Sequence, residues 1–363
     1  MDLSGQSILV TGAAGFIGSN FVRYCLANQA KKIVSLDKLS YAGHIENLAA
    51  VSGDPRHEFV KDDIANKDAV LDILRAADIT SVVNFAAETH VDRSILSAEP
   101  FIHSNVVGVC RLLEATQEYL RERQPEDVAG FRFLHISTDE IYGSLGLEDA
   151  GKVETDAFMP NSPYSASKAS ANHIVRAFRE THGLPTLITN CTNNYGPFQY
   201  PEKLIPLVVV NGTLGKEIPL YGDGSNIRDW MYVDDHCEAI LSVLTQGDLG
   251  ETYNISSGEE INNKTIVETI CDLLDSKLGH DGRAGRRALI KQVADRPGHD
   301  FRYSLNAEKL QQHTGWRPRT PFEEGISKTI DWYIEHSDWV SSLIGDDKYE
   351  RWMSDNYALR SAS

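Results

Sequence analysis

The sequence predicts an α/β protein: a doubly wound parallel sheet with a smaller C-terminal domain beside it. Three observations carry that expectation. Through the first half of the 363-residue chain, short apolar runs alternate with longer amphipathic stretches, the pattern of strands joined by crossover helices. A glycine cluster, Gly12 to Gly18, separates the first such strand from the first such helix. Past Asn190 the alternation fades, and prolines and glycines punctuate the chain.

In order, the candidate strands are Ser7–Gly12, Lys32–Asp37, Glu58–Ile64, Ser81–Ala87, Phe131–Thr138 and Thr186–Cys191. Helical patterns at Phe16–Gln29, Lys67–Ala77, Val106–Arg123 and Tyr164–Thr181 lie between them, and right-handed crossovers then give parallel neighbours. Thr252–Ser256 reads as one more strand of the same sheet, and later helices fall near Lys264–Leu278 and Pro321–His336. The expected division is a cofactor domain over residues 1–192, with returning segments near 229–256, and a mainly substrate-binding domain over 193–363. A ligand pocket is expected at their interface.

A net charge of -17 argues against nucleic acid, which calls for excess Lys and Arg. It leaves room for an anionic small ligand, for which a few cations and backbone N–H groups suffice. Cys25, Cys110, Cys191, Cys237 and Cys271 are scattered without a CxxC pair, as in a cytoplasmic protein with reduced thiols. No apolar run reaches the roughly 18 residues of a spanning helix. The histidines show neither HxH nor HExxH spacing, so no metal is expected.

Gly12-Ala13-Ala14-Gly15-Phe16-Ile17-Gly18 is GxxGxxG, a spacing variant of the Rossmann-type dinucleotide fingerprint. Its glycines bring backbone against a pyrophosphate at a helix N-terminus. Asp37 ends the second strand, where a carboxylate binds ribose hydroxyls and repels a 2′-phosphate, favouring NAD over NADP. Asp63 and Ile64 end the third strand. Asp62-Asp63 reads equally as an adenine contact or as carboxylates capping the next helix.

Tyr164-x-x-x-Lys168 lies on a predicted helix, so both side chains share a face. An ammonium beside a phenol favours the phenolate and fits it to take a hydroxyl proton. Ser137-Thr138-Asp139-Glu140 falls at the carboxyl end of a predicted strand, the edge where such sheets bind ligands. Adjacent carboxylates can divide acid and base roles if their environments split their pKa values.

Together the glycine pattern, Thr138 and the Tyr/Lys pair resemble the extended short-chain dehydrogenase/reductase family. Within it the dTDP-glucose 4,6-dehydratases are resembled by Ala86–Ser94, Ser137–Gly143, Pro163–Lys168, Asn190–Pro197, Pro201–Pro206, Ile227–Trp230 and Asp295–Asp300. Thr89 replaces the usual Ser, Phe301 a frequent Arg, and Leu145–Thr155 is shorter than in many members. The resemblance implies dTDP-glucose as substrate, a homodimer packed through the helices at Val106–Arg123 and Tyr164–Thr181, and catalytic roles for Thr138, Asp139, Glu140, Tyr164 and Lys168. It adds Lys38, Leu39, Ser40, Phe85, Ala86, Ala87, Ser104 and Asn190 to Gly12, Gly15, Phe16, Ile17, Gly18, Asp37, Asp63, Ile64, Tyr164 and Lys168 as NAD contacts. For the sugar nucleotide it implies Thr89, Thr138, Asn193, Lys203, Leu204, Tyr221, Arg228, Asn263, Asp295, Arg296 and His299. His90 and His299 read as hydrogen-bonding or packing residues. Other family members, acting on a UDP-sugar by dehydration, epimerisation or decarboxylation, and a non-catalytic NAD sensor are the competing readings. Asp139-Glu140 weighs against plain epimerisation, and the Tyr/Lys pair against a sensor.

Overall fold

The apolar runs form strands buried on both faces, as parallel sheets require. The computed structural model describes residues 3–280 and 285–361. Its main sheet is built from β1 (Ser7–Thr11), β2 (Lys32–Leu36), β3 (His57–Val60), β4 (Ser81–Asn84), β5 (Arg132–Thr138), β6 (Thr186–Cys191) and β10 (Thr252–Ile255). The spatial order is β3-β2-β1-β4-β5-β6-β10, and every pairing is parallel. This is the doubly wound sheet that the sequence predicts. The order of strand addition reverses between β1 and β4, which opens a crevice at their carboxyl ends.

Helices cover both faces. On one side α1 (Phe16–Ala27) and α6 (Val233–Gln246) pack over Ile8 and Val10. On the other, α2 (Lys67–Ala76), α3 (Val109–Arg121) and α4 (Pro163–His182) pack over Leu9, Val34 and Val82. Alternate residues of β1 thus serve opposite cores, as the period of two dictates.

Two boundaries differ from the sequence reading in ways that shape the site. β4 stops at Asn84 rather than Ala87 because its partner β1 stops at Thr11, and residues 85–90 are released into a loop. The helix expected from Val106 already begins at Glu99, with Pro100 in its first turn. It passes through a π-helical turn, His103–Gly108, into α3. That extra residue per turn shifts the apolar period, which hid the start.

The later chain forms smaller sheets. β7 (Asn193–Tyr195), β9 (Ile227–Tyr232) and β11 (Glu260–Asn262) make one, in the order β11-β9-β7; β8 (Ile218–Tyr221) pairs with β12 (Ile290–Val293). With α5 (Leu204–Leu214), α7 (Asn263–Leu278) and α8 (Phe322–Glu335) they enclose a core around Tyr195, Val208, Ile218, Trp230, Ile270 and Ile330. A last helix, α9 (Asp347–Ser361), packs against β12 and against Tyr221 of β8. Among the described residues no helix is long and apolar enough to cross a membrane.

Candidate active site

Two adjoining cavities, of about 290 Å³ and 180 Å³, meet at the carboxyl ends of β4, β5 and β6, and share Thr89, Glu140, Asn193, Asn194, Gln199 and Lys203. The first is framed by the glycine turn. Gly12 has φ +64°, and a Cβ there would stand 2.7 Å from the Ala86 amide nitrogen. Only glycine lets the turn pass so close beneath the loop after β4. Gly18 leaves its place to the Gly12 carbonyl in the same way. No side chain caps α1, and its first turn holds no acid, so its N–H groups and positive dipole end remain available to an anion.

Asp37 is buried at the end of β2 and accepts from the Ala14 N–H (3.0 Å) and the Leu39 N–H (2.8 Å). These two bonds aim the carboxylate along the cavity wall. Gly43 makes room for it, since a Cβ there would stand 2.8 Å from Asp37 Oδ1. Burial nonetheless raises its pKa, against the lowering by those amides. Lys38 lies 3.5 Å from Asp63 and 3.7 Å from Glu88, so its charge is already shared. Asp63 accepts from the Ala65 N–H, while Asn66 caps α2. Ile17, Ile64, Phe85 and Ala86 supply apolar walls, and Ala87 and Ser104 line the same space.

The far end of this cavity is titratable. A reciprocal Ser162/Ser165 capping box and Pro163 start α4, and Gly183 (φ +70°) ends it. The helix presents Tyr164 and Lys168 on its buried face, opposite Thr138 and Asp139 at the end of β5. The Thr138 hydroxyl donates to Asp139 Oδ1 (3.1 Å) and accepts from the Glu140 N–H (3.3 Å). Asp139 is 3% exposed, and its Oδ2 has no hydrogen-bond partner among the described residues.

Burial and the neighbouring Glu140 push Asp139 well above the usual carboxylate range, with Arg228 acting the other way. Burial also raises Glu140, but Arg296, Arg228 and Lys203 all favour its charged form. The two adjacent acids therefore sit in unlike fields.

Lys168 Nζ donates to the Ile136 carbonyl (2.7 Å), and burial lowers it to about 8. The Tyr164 phenol is raised well above its ordinary value by burial, then by Glu140, Cys191 and Asp139; its hydrogen bond with Thr138 works against this. The sequence reading had the ammonium lowering the phenol. In this geometry desolvation and the nearby carboxylates outweigh it.

The second cavity is assembled from distant segments. Thr89, Asn193, Lys203, Leu204, Tyr221, Arg228, Asn263, Arg296 and His299 all line it. Lys203 Nζ donates to the Thr89 carbonyl (3.1 Å). Arg228 is buried over the Tyr303 ring (4.3 Å) and donates to the Ile227 (2.7 Å) and Asp300 (2.8 Å) carbonyls. Arg296 lies 3.6 Å from Asp92, and its Nε has no partner among the described residues. His299 donates through Nδ1 to Asp295 (2.6 Å). Burial lowers its pKa to about 4, helped by Arg296 and Arg228.

Three expected site residues line neither cavity. Leu39 (φ +56°) shapes the turn beside Asp37, and Asp295 is hydrogen-bonded to His299, which does line the second cavity. Asn190 is fully buried in β6, bonded to Asn172, Tyr142 and Asn254. The sequence reading missed Ala42, Gly43, Thr192, Asn194, Gln199 and Tyr200 of the first cavity, and Asp92, Glu202, Tyr303 and Tyr357 of the second. Asn194 and Glu202 lay inside the quoted motifs; Tyr357, on α9, carried no motif.

Comparison with known proteins shows the family and the fold. A family model described as GDP-mannose 4,6 dehydratase matches residues 9–329. A dTDP-glucose 4,6-dehydratase of Shigella flexneri is 48% identical over 363 residues, covering 98% of this chain and 100% of its own length. The crystal structure of the dTDP-glucose 4,6-dehydratase DesIV from Streptomyces venezuelae, with NAD bound, superimposes with a TM-score of 0.85 at 42% identity, over 93% of this chain and 100% of that one. A UDP-glucose 4-epimerase of Thermus thermophilus, complexed with NAD, is more distant: TM-score 0.78 and 30% identity, over 91% and 99%.

Proposed function

Because the chain belongs to the GDP-mannose 4,6 dehydratase family, within the extended short-chain dehydrogenases/reductases, we propose that it is a hydro-lyase that dehydrates dTDP-glucose to dTDP-4-keto-6-deoxyglucose with NAD as resident cofactor. The observation that carries this reading is the pair of adjacent, unequally shifted acids, Asp139 and Glu140, facing Tyr164 where the cavities meet. An epimerase that oxidises and reduces one carbon has no use for two such acids.

The uncapped end of α1, the glycine turn and Asp37 fit a dinucleotide whose pyrophosphate and ribose they would hold, beside Ser104 and Ile64. NAD held there would supply the hydride acceptor for C4 and the hydride donor for C6. Tyr164 takes the C4 hydroxyl proton in its ionised form, which the Thr138 hydrogen bond and the neighbouring Lys168 would favour against its burial. Glu140, whose charged form three cations favour, removes the C5 proton made acidic by the 4-keto group. Asp139, kept protonated by burial, donates to the C6 hydroxyl so that it departs as water. Arg228 and Arg296 hold the diphosphate, with Lys203 and Asn193 near the sugar. Residues 1–192 and 229–256 serve as the cofactor domain, and the rest mainly as the sugar-nucleotide domain.

Two copies pair through the helices Glu99–Arg121 and Pro163–His182 in this reading. Exposed Ile102 and Val107 on the first of them favour such a contact; sedimentation at micromolar protein checks it.

The function is tested by incubating the protein with dTDP-glucose and recording product mass. Loss of one water, no accumulated NADH and no reaction in Glu140→Gln are the expected results. An unchanged mass with an epimeric sugar overturns the dehydratase reading, whereas water loss from UDP-glucose alone moves only the base preference.

A further inference from the structure

The helix α9 lies beyond residue 329, where the family model ends, yet its contacts reach both cavities. Tyr357 lines the second cavity with its ring 6.2 Å from that of Tyr221, and Asn356 donates to the Tyr221 hydroxyl (3.2 Å). Tyr349 and Met353 pack with Tyr41, Ala42 and Tyr200, of which Ala42 and Tyr200 line the first cavity. The helix is therefore a cover over one cavity with its heel on the wall of the other.

One cation joins these parts. The Arg93 guanidinium lies 4.0 Å from the Trp352 ring of α9 and 4.1 Å from the Tyr41 ring, on the loop after β2. It also forms an ion pair with Glu202, Nη2 to Oε2 3.0 Å, and Nε is 3.2 Å from the same oxygen. Glu202 is buried and adjoins Lys203, which lines both cavities. A cation between two aromatic faces and paired with a buried carboxylate has a single well-defined place. Neither Arg93 nor Trp352 lines a cavity, so neither is placed to touch a ligand.

We propose that Arg93 and Trp352 are positioning residues that fasten α9 across the second cavity and so set how tightly the nucleoside diphosphate of the substrate is held. The proposal rests on the reading that a nucleotide sugar occupies that cavity. Loss of the clamp frees the cover, and bound nucleotide then leaves more readily. Chemistry at Tyr164, Asp139 and Glu140 proceeds unchanged once substrate is seated.

The test compares wild type, Trp352→Ala, Trp352→Phe and Arg93→Lys, all loaded with NAD. dTDP binding is measured by calorimetry, and cleavage within 347–361 by limited proteolysis with and without dTDP. Trp352→Ala and Arg93→Lys are expected to weaken dTDP about tenfold, to leave NAD affinity unchanged and to lose the protection dTDP gives to the helix. Trp352→Phe, which keeps an aromatic face, restores most of the binding. With dTDP-glucose, KM should rise by the same factor while kcat stays within about twofold. Unchanged dTDP affinity in Trp352→Ala overturns the clamp, as does an equal loss of dTDP and NAD affinity. Failure of the wild type to dehydrate dTDP-glucose would sink the proposed reaction, yet the dTDP and protease results would still decide the clamp.

Discussion

The two cavities are built on opposite plans. The first is lined by segments from Gly12 to Lys203, but its decisive features are backbone and lie close together in sequence: a glycine turn, an open helix end and a carboxylate held by two amide N–H groups. The second is made of side chains brought from β7, α5, β8, β9, α7, the 294–303 segment and α9. Its cations are held by tertiary contacts, as Arg228 is by Tyr303 and Asp300. A site of the first kind is fixed by local sterics and tolerates little change at a few positions. A site of the second kind spreads its binding over many contacts, each replaceable at moderate loss.

The sharpest test lies where the cavities meet. Glu140→Gln and Asp139→Asn should each lower kcat by about 10²–10⁴ while NAD and dTDP still bind. In the proposed mechanism Glu140 works ionised and Asp139 protonated, so the wild-type rate should fall on the acid side as Glu140 gains a proton and on the alkaline side as Asp139 loses one. Both limits lie above the ordinary carboxylate range, because burial raises both groups. A single-sided pH profile, or an Asp139→Asn enzyme of normal rate, would remove the division of roles.

Next comes the backbone-built cavity. Gly12→Ala places a Cβ against the Ala86 amide at a left-handed φ, a strain of about 1–3 kcal/mol. NAD affinity should fall about tenfold or more, with dTDP affinity changed less than twofold. Equal loss at both sites would mean that the cavities are not separable.

The side-chain cavity should fail more gradually. Arg296→Ala removes a partly exposed cation that stands 3.6 Å from Asp92. One charge-assisted contact to the diphosphate is worth about 1.5–3 kcal/mol, so dTDP should weaken roughly 10- to 100-fold, with NAD unchanged. Arg228→Ala is a worse probe, since it also strips donors from buried carbonyls.

This contrast explains what the sequence could disclose. Strand and helix alternation and GxxGxxG are local, so the sheet, its winding and the Gly12–Asp37 wall were legible. Tyr164, Lys168, Thr138 and Asp139 followed because they sit at ends of predicted elements. Asn190 was misplaced at a cavity wall, because its alternation along β6 put it into the amide network beneath. The π-turn hid the helix start at Glu99. Tyr357 meets Tyr221, and Arg93 meets Trp352, across more than 130 positions of sequence, and no periodicity records such a meeting. For the second cavity only resemblance could name residues in advance.

The smallest effect probes what the cavities share. His236 lies on α6, which follows β9, the strand of Arg228, and packs against α1, the helix of the glycine turn. It is fully buried, neither ring nitrogen has a hydrogen-bond partner among the described residues, and burial lowers its pKa to about 3. The unfolded chain binds this proton near pH 6.5, so between pH 6.5 and about 3 the unfolded state carries more protons than the folded one. Stability is thus fully present above pH 6.5 and is lost as pH falls, by up to about 1.4 kcal/mol per unit from this residue. Urea midpoints at pH 7, 6 and 5 should decline, and decline less steeply in His236→Leu. Because α6 backs both cavities, NAD and dTDP should each weaken along with that decline. If His236→Leu keeps the wild-type slope, the acid sensitivity lies elsewhere; if only one ligand weakens, α6 is not their common support.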